Sequence, residues 1–359
     1  QLSLMTGPIY FLYKIISTIN LCKHLEKAYP KSNFIPVYWM ASEDHDFEEI
    51  SSFRFENKNV VWPLKAAGAV GDMPLEDLQP TLDTFEQQLG GSVNADFLKN
   101  LIDRSYRVSK SLSEATFRLV NFLFGDYGLL VLEPQKNELK ALFKPVLKEE
   151  LLKSSSYLEV TGQIKRLKKD YDSAYLPQVN PREINLFYLT PEGRYRIEKI
   201  HNRYHLNGTE QSFDEAEFIR LVDSSPERFS PNVILRPLYQ ECILPNLCYI
   251  GGGGELAYWL QLNSTFRHFN IPFPILLLRN SALLYSQKLS KKINKLDLCI
   301  SDLFMDRNLL VNKKIRQISD IDLDLSPLKN QLKIQFESLQ SLVSQTDASF
   351  KGAVAAQEA

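Results

Sequence analysis

Leu247-Cys248-Tyr249-Ile250-Gly251-Gly252-Gly253-Gly254-Glu255 is the stretch that decides the fold class. Apolar residues run into four glycines, residues 256–269 then carry helical spacing, and 273–278 are apolar again. Strand, glycine turn, helix, strand is the order of a parallel α/β sheet. The N-terminal region has the same grammar. Thr6-Gly7-Pro8 reads as a turn and helix start, with Pro8 where its missing N–H costs nothing. Leu12, Ile15, Ile16, Ile19 and Leu25 follow at helical spacing. Residues 34–40 are wholly apolar, which predicts a strand covered on both faces. Its partner strand is expected upstream of Gln1. The chain opens on Gln and stops within a helical pattern, so it reads as a fragment.

Four regions follow. Residues 1–73 are the first part of a Rossmann-like core, with 59–62 as a further short strand. Residues 74–227 are expected to be connecting insertions, largely helical, with a small strand pair: helices over 74–113, a strand at 128–132, a long charged helix over 136–171, strands at 184–189 and 195–200 around Pro191-Glu192-Gly193, and a helix over 213–223. Residues 228–310 are the second part of the core, resuming at Pro231-Asn232-Val233-Ile234-Leu235-Arg236. In 311–359, Leu328, Leu332, Phe336, Leu339 and Val343 recur at spacings of three and four, the start of a coiled-coil helix.

Composition excludes several classes. A net charge of -1 and the lack of a dense basic tract leave no nucleic-acid footprint, and Lys165–Lys169 reads as a solvated helix face. No run of about 18 apolar residues exists to span a membrane, and no secretory signal opens the chain. Cys22, Cys242, Cys248 and Cys299 lack CxxC spacing and suit free thiols of a reducing cytoplasm. His24, His201, His205 and His268 have no metal-like partners, and no G-x-S-x-G elbow is present.

Chemistry concentrates in Ser42-Glu43-Asp44-His45-Asp46-Phe47-Glu48-Glu49, directly after a buried strand. Ligands of open α/β sheets sit outside the carboxyl ends of strands. A His flanked by Asp44 and Asp46 there suits a general base or a mixed metal site; an acidic helix start is the structural alternative. No metal ligand set is assigned. Gly251, Gly252, Gly253, Gly254 and Glu255 suit contact with a phosphate or carboxylate at a helix start, though neither GxGxxG nor the P-loop motif is present. Gly7, Tyr10, Tyr13 and Lys14 reach over the same crevice if the sheet is parallel. Arg194, Arg236 and Arg279-Asn280-Ser281 lie beside expected strands and suit carboxylate or phosphate recognition, or else surface ion pairs.

Four blocks carry a resemblance. They are Met5-Thr6-Gly7-Pro8-Ile9-Tyr10 with Tyr13-Lys14; Trp39-Met40-Ala41-Ser42-Glu43-Asp44-His45-Asp46-Phe47-Glu48-Glu49; Leu235-Arg236-Pro237-Leu238-Tyr239-Gln240-Glu241 with Leu244-Pro245-Asn246; and Tyr249–Trp259 around the glycines. Together they resemble the cysteine-adding enzymes of bacillithiol synthesis. The resemblance implies a Rossmann-like core of the class I synthetase and nucleotidyltransferase kind, with a C-terminal coiled coil that pairs two chains. It also implies a ligase joining L-cysteine to the amine of glucosaminyl-malate. ATP activation through a cysteinyl-adenylate is implied by analogy of fold. The HIGH and KMSKS signatures of such synthetases are not intact here; Lys288-Leu289-Ser290-Lys291-Lys292 is faintly similar to the second. His45 or Asp46 is then expected to take the amine proton. A nucleotide- or sugar-binding dimeric module and a nucleotidyltransferase-type enzyme remain open as alternatives.

Overall fold

The computed structural model describes every residue except 1, 57, 65–67, 172, 319–324, 344, 346–347 and 359. A turn of left-handed backbone at Met5, Thr6 and Gly7 (φ 49°, 70° and 62°) leads into α1 (Tyr10–Ala28). Gly7 is required there: a Cβ would lie 2.5 Å from that of Ser3. Then come β1 (Val37–Trp39), α2 (Phe47–Ile50), β2 (Ser52–Phe55), β3 (Lys58–Val61), α3 (Gln79–Leu89), α4 (Val93–Ser105), α5 (Leu112–Phe124) and β4 (Leu130–Leu132). Ser92 and Ser111 cap α4 and α5 by accepting the N–H groups of Ala95 and Glu114.

The middle of the chain holds α6 (Asn137–Ala141), α7 (Lys144–Lys153), α8 (Ser155–Asp170), β5 (Leu186–Thr190), β6 (Gly193–Ile200), β7 (Arg203–Leu206), β8 (Ser212–Phe213), α9 (Glu215–Ser224) and β9 (Phe229–Pro231). Next are α10 (Leu235–Ile243), β10 (Cys248–Gly251), α11 (Gly253–Trp259), α12 (Asn263–His268) and β11 (Ile275–Leu278). The last helices are α13 (Gln287–Lys295), α14 (Arg307–Ile318), α15 (Ser326–Val343) and α16 (Ala348–Glu358). The chain divides into two compact units, Gln1–Ser281 and Ala282–Ala359, where the sequence placed the boundary at 310/311.

Parallel pairing is present as two ladders. β1 pairs with β4 from Val37↔Leu130 to Trp39↔Leu132, and β10 with β11 from Cys248↔Ile275 to Gly251↔Leu278. Each pair is joined through helices, as parallel strands require. β2 and β3 form an antiparallel hairpin, and the order β8-β7-β6-β5-β9 forms a five-stranded antiparallel sheet. One core packs Phe143, Leu147, Leu151, Phe218, Phe229, Trp259 and Phe266 among the helices around that sheet. A second packs Met40, Trp62, Leu78, Ile102 and Leu119, and a third seats α1 on α5 through Ile15, Ile19, Val120 and Phe124.

Several expectations are corrected. The apolar run 34–40 forms a strand only at 37–39, and Ile35 is 60% exposed: Pro36 has no N–H for the ladder. The long helix over 136–171 is three helices. Pro145 suits the first turn of α7, and left-handed Ser154 ends it. The small strand pair belongs to the five-stranded sheet, because β7 and β8 are too short and polar to show an apolar pattern. Within 231–236 only Pro231 lies in a strand, as the last residue of β9. Asn232 Oδ1 instead accepts the N–H groups of Ile234 and Leu235 and starts α10, so Arg236 lies in a helix rather than beside a strand end. Of the four glycines only Gly252 is a linker; Gly251 ends β10 while Gly253 and Gly254 are helical. The helical pattern past Ser326 is two helices, α15 and α16.

Candidate functional site

The loop leaving β1 is held against the end of β4. Met40 N donates to the Leu132 carbonyl at 3.1 Å, and the buried Ser42 hydroxyl donates to the Glu133 carboxylate. Gly71 N and Val70 N donate to the carbonyls of Ser42 (2.8 Å) and Asp44 (2.7 Å). A Cβ on Gly71 would stand 2.5 Å from the Ser42 Cβ, so only glycine permits this approach. Burial raises the Glu133 carboxyl above its ordinary value. Two strand carboxyl ends thus meet at Ser42 and Glu133, where sheet folds of this kind place ligands.

Behind the loop lies a chain of charges. Lys140, fully buried on α6, pairs with Glu43 at 2.5 Å and donates to the Phe229 carbonyl at 2.8 Å. The Ser230 hydroxyl donates to the other Glu43 oxygen at 2.7 Å. Arg194, on β6 and only 9% exposed, donates Nε–H to Ser230 Oγ and Nη2–H to the Pro231 carbonyl, both at 3.1 Å. Its guanidinium lies 3.9 Å from the Phe187 ring centroid. Nη1 is 3.1 Å from His45 Nδ1. Burial, and then the like charge of Arg236, pushes Arg194 down to about 10; burial also lowers Lys140.

Asp44 faces both arginines. Arg236 Nη1 is 3.8 Å from Asp44 Oδ2, and His45 N donates to Oδ1 at 2.9 Å. Burial alone would raise the Asp44 carboxyl. The neighbouring His45, whose backbone N–H it accepts, and the charges of Arg236 and Arg194 outweigh it and hold the group well below the usual carboxylate range. Asp46 is exposed at the start of α2, and its side chain does not cap the helix.

A second cluster forms where α1 meets β10. Lys14 Nζ lies 2.8 and 2.9 Å from the Glu255 oxygens, which also accept Tyr249 OH (2.9 Å) and Gly252 N (2.7 Å). Burial works against the Glu255 charge, but Lys14 and the Gly252 N–H hold its carboxyl below its ordinary value. The Arg279 guanidinium lies 5.0 Å from the Tyr10 ring centroid and donates to the Asn280 carbonyl (3.0 Å) and Ser281 Oγ (3.4 Å). Tyr258 links the clusters electrostatically: burial and Glu255 push its phenol up to about 12, and Arg236 opposes them.

The structure therefore gathers Ser42, Glu43, Asp44, His45 and Arg236 at one place, and Gly7's helix through Tyr10 and Lys14 with Gly252, Glu255, Arg279, Asn280 and Ser281 at another. Glu43 and Ser42 are buried supports. Lys140, Glu133 and Ser230 were not singled out from the sequence, since a lysine in a charged helical run reads as solvated. Among the described residues no group of three or more His, Cys, Asp or Glu is arranged to hold a metal ion.

Comparison with known proteins identifies the family. The family described as "Bacillithiol biosynthesis BshC, N-terminal Rossmann-like domain" matches residues 1–280, and its C-terminal coiled-coil domain matches 282–359. The chain belongs to the bacillithiol-biosynthesis BshC family. A family relative from Flavobacterium psychrophilum is 50% identical over 358 residues, covering 100% of this chain and 66% of its own length. A second, from Flavobacterium johnsoniae, is 50% identical over 358 residues, with 100% and 67% covered. A third, from Cytophaga hutchinsonii, is 33% identical over 363 residues, with 100% and 66% covered. All three bear the name "Putative cysteine ligase BshC". The chain thus spans about two thirds of the length of these relatives. The BshC family match gives the first unit a Rossmann-like fold and the second a coiled coil, as the glycine-turn and heptad patterns predict.

Proposed function

We propose that this chain carries the amide-forming centre of a cysteine ligase, which joins the carboxyl of L-cysteine to the amine of glucosaminyl-malate. The observation that supports this is the convergence of Arg194, Arg236 and His45 around Asp44 beside the carboxyl end of β1. Two guanidiniums with one carboxylate between them leave positive charge unmatched, which suits a substrate carrying malate carboxylates. Arg236 is the half-buried, loosely paired member and is the group we assign to the malate.

Amide formation also requires an activated carboxyl and an unprotonated amine. ATP is the activating group we favour, set against the glycine turn. Gly253 has open space where a Cβ would be, and Arg279 supplies a cation beside Tyr10. Lys14 is already neutralised by Glu255, so it contributes position more than net charge. His45 and Asp46 are the candidates for the amine proton. The coiled coil of the second unit is proposed to pair two chains in the full-length protein, and the setting is cytoplasmic. No helix among the described residues is long and apolar enough to cross a membrane.

The test is the low-molecular-weight thiol profile of cells lacking the full-length gene, with and without complementation. Loss of bacillithiol with accumulation of glucosaminyl-malate, reversed by the gene, is the expected result. An unchanged profile in a bacillithiol-producing organism refutes the assignment.

A further inference from the structure

We infer that Arg194 is a positioning residue that holds His45 as the neutral imidazole with its proton on Nε2. His45 then offers a hydrogen bond to an anionic oxygen of the substrate and does not receive the amine proton. The substrate half of this statement rests on the ligase reading above; the tautomer does not.

Every proton along the buried chain has one possible owner. Lys140 can only donate, so Glu43 accepts at 2.5 Å. The Ser230 hydroxyl donates its single proton to Glu43, which leaves its lone pairs for Arg194 Nε–H. The guanidinium has no acceptor, so the 3.1 Å contact of Nη1 with His45 Nδ1 requires a bare Nδ1. A hydrogen on Nδ1 would meet the guanidinium hydrogen head-on. The competing partner is Asp44 Oδ1, but at 3.5 Å it lies beyond the ordinary range for an N–H···O bond. Arg194 cannot turn aside: Ser230, the Pro231 carbonyl and the face of Phe187 fix its plane, and Phe187 also lies 5.7 Å from the His45 ring. Which ring nitrogen carries the proton is set by the bond the other one makes. Nε2–H is the result. Half of the His45 side chain is exposed, so the ring remains accessible to a ligand. Of the two candidates for the amine proton, Asp46 remains.

The experiment is a long-range proton–nitrogen correlation spectrum of the full-length protein labelled with 15N-histidine. The His45 signals are assigned by their absence in His45→Gln. At neutral pH the expected pattern has a bare, downfield Nδ1 and a protonated Nε2. In Arg194→Met the pattern shifts toward Nδ1–H facing Asp44, while the signals of His24, His201, His205 and His268 stay in place. A wild-type ring protonated on Nδ1, or on both nitrogens, overturns the inference, and so does an unchanged Nε2–H pattern in Arg194→Met. If Arg194→Met does not fold, the wild-type spectrum still decides. In ligase assays His45→Ala and Arg194→Met are each expected to lower kcat by about 10²-fold, and the double variant by no more than the larger single loss. Multiplying losses would break the link between the two residues. A protein with the Nε2–H ring but no cysteine ligation would refute the ligase reading alone.

Discussion

Replacing Lys140 by Met is expected to remove a large part of the stability of the first unit. The ammonium is fully buried, 2.5 Å from Glu43, and also serves the Phe229 carbonyl. At an effective dielectric of about 20, two unit charges at that separation attract by roughly 7 kcal/mol. Most of this offsets the cost of burying both. The loss on truncation is set by what remains, a buried Glu43 with Ser230 as its nearest donor and a carbonyl without Lys140. Removing one partner of a buried ion pair costs about 3–5 kcal/mol. Glu43→Gln combined with Lys140→Met removes both charges and should recover about half of that loss, so the two single losses do not add. Urea unfolding followed by tryptophan fluorescence reads this directly, since Trp39, Trp62 and Trp259 all lie in the first unit. A single-variant loss below about 1 kcal/mol, or strict additivity in the double variant, would refute the reasoning.

Burial raises the Glu241 carboxyl from 4.5 to about 7, although Asn246 donates to it from backbone and side chain. A raised folded pKa gives stability that is full below the unfolded value and is lost as pH rises through 7. Glu241→Gln should therefore gain up to roughly 3 kcal/mol on wild type between pH 4 and pH 8, and parallel stability–pH curves would contradict it. Gly71→Ala drives a methyl against Ser42 and Ser113, so about 1–3 kcal/mol of destabilisation with loss of activity is expected; a neutral thermal melt would show that the loop yields freely. Arg236→Met should weaken glucosaminyl-malate binding by about 10–100-fold in calorimetry and leave the melting temperature nearly unchanged, whereas equal affinity would free Arg236 of the malate role. Leu328 and Leu332 are exposed on α15, and replacing both by Glu should halve the mass of the full-length protein in light scattering; an unchanged mass would move the dimer contact elsewhere.

The sequence was most legible where backbone chemistry is local. Pro8, the glycine turn after β10 and the apolar strand before Ser42 announced the β10–β11 ladder and the crevice residues, because strand and turn preferences act over a few positions, whereas β4, the observed partner of β1, was read as part of the insertions. The five-stranded sheet was only half visible. β7 and β8 are held by neighbours and not by an apolar pattern of their own, and β9 ends in Pro231. His45 stood out through its flanking acids, yet its actual partner is Arg194, 149 positions away. Lys140 gave no signal: a lysine among charged helical residues looks solvated until Glu43 and Tyr239 close over it.

The separations along the chain also bear on how the protein is made. Glu43 meets Ser230 across 187 positions, and Lys14 meets Glu255 across 241. At about 5–20 residues per second, the ribosome takes roughly 10–40 s to supply Ser230 after Glu43 has been joined. Through that interval the acidic loop lacks its hydroxyl donor, and for most of it also the arginine that steadies His45. A nascent chain stalled before Ser230 should therefore have formed α1–α5 while its acidic loop remains without all its supports, so the candidate site is among the last parts of this unit to acquire its final form.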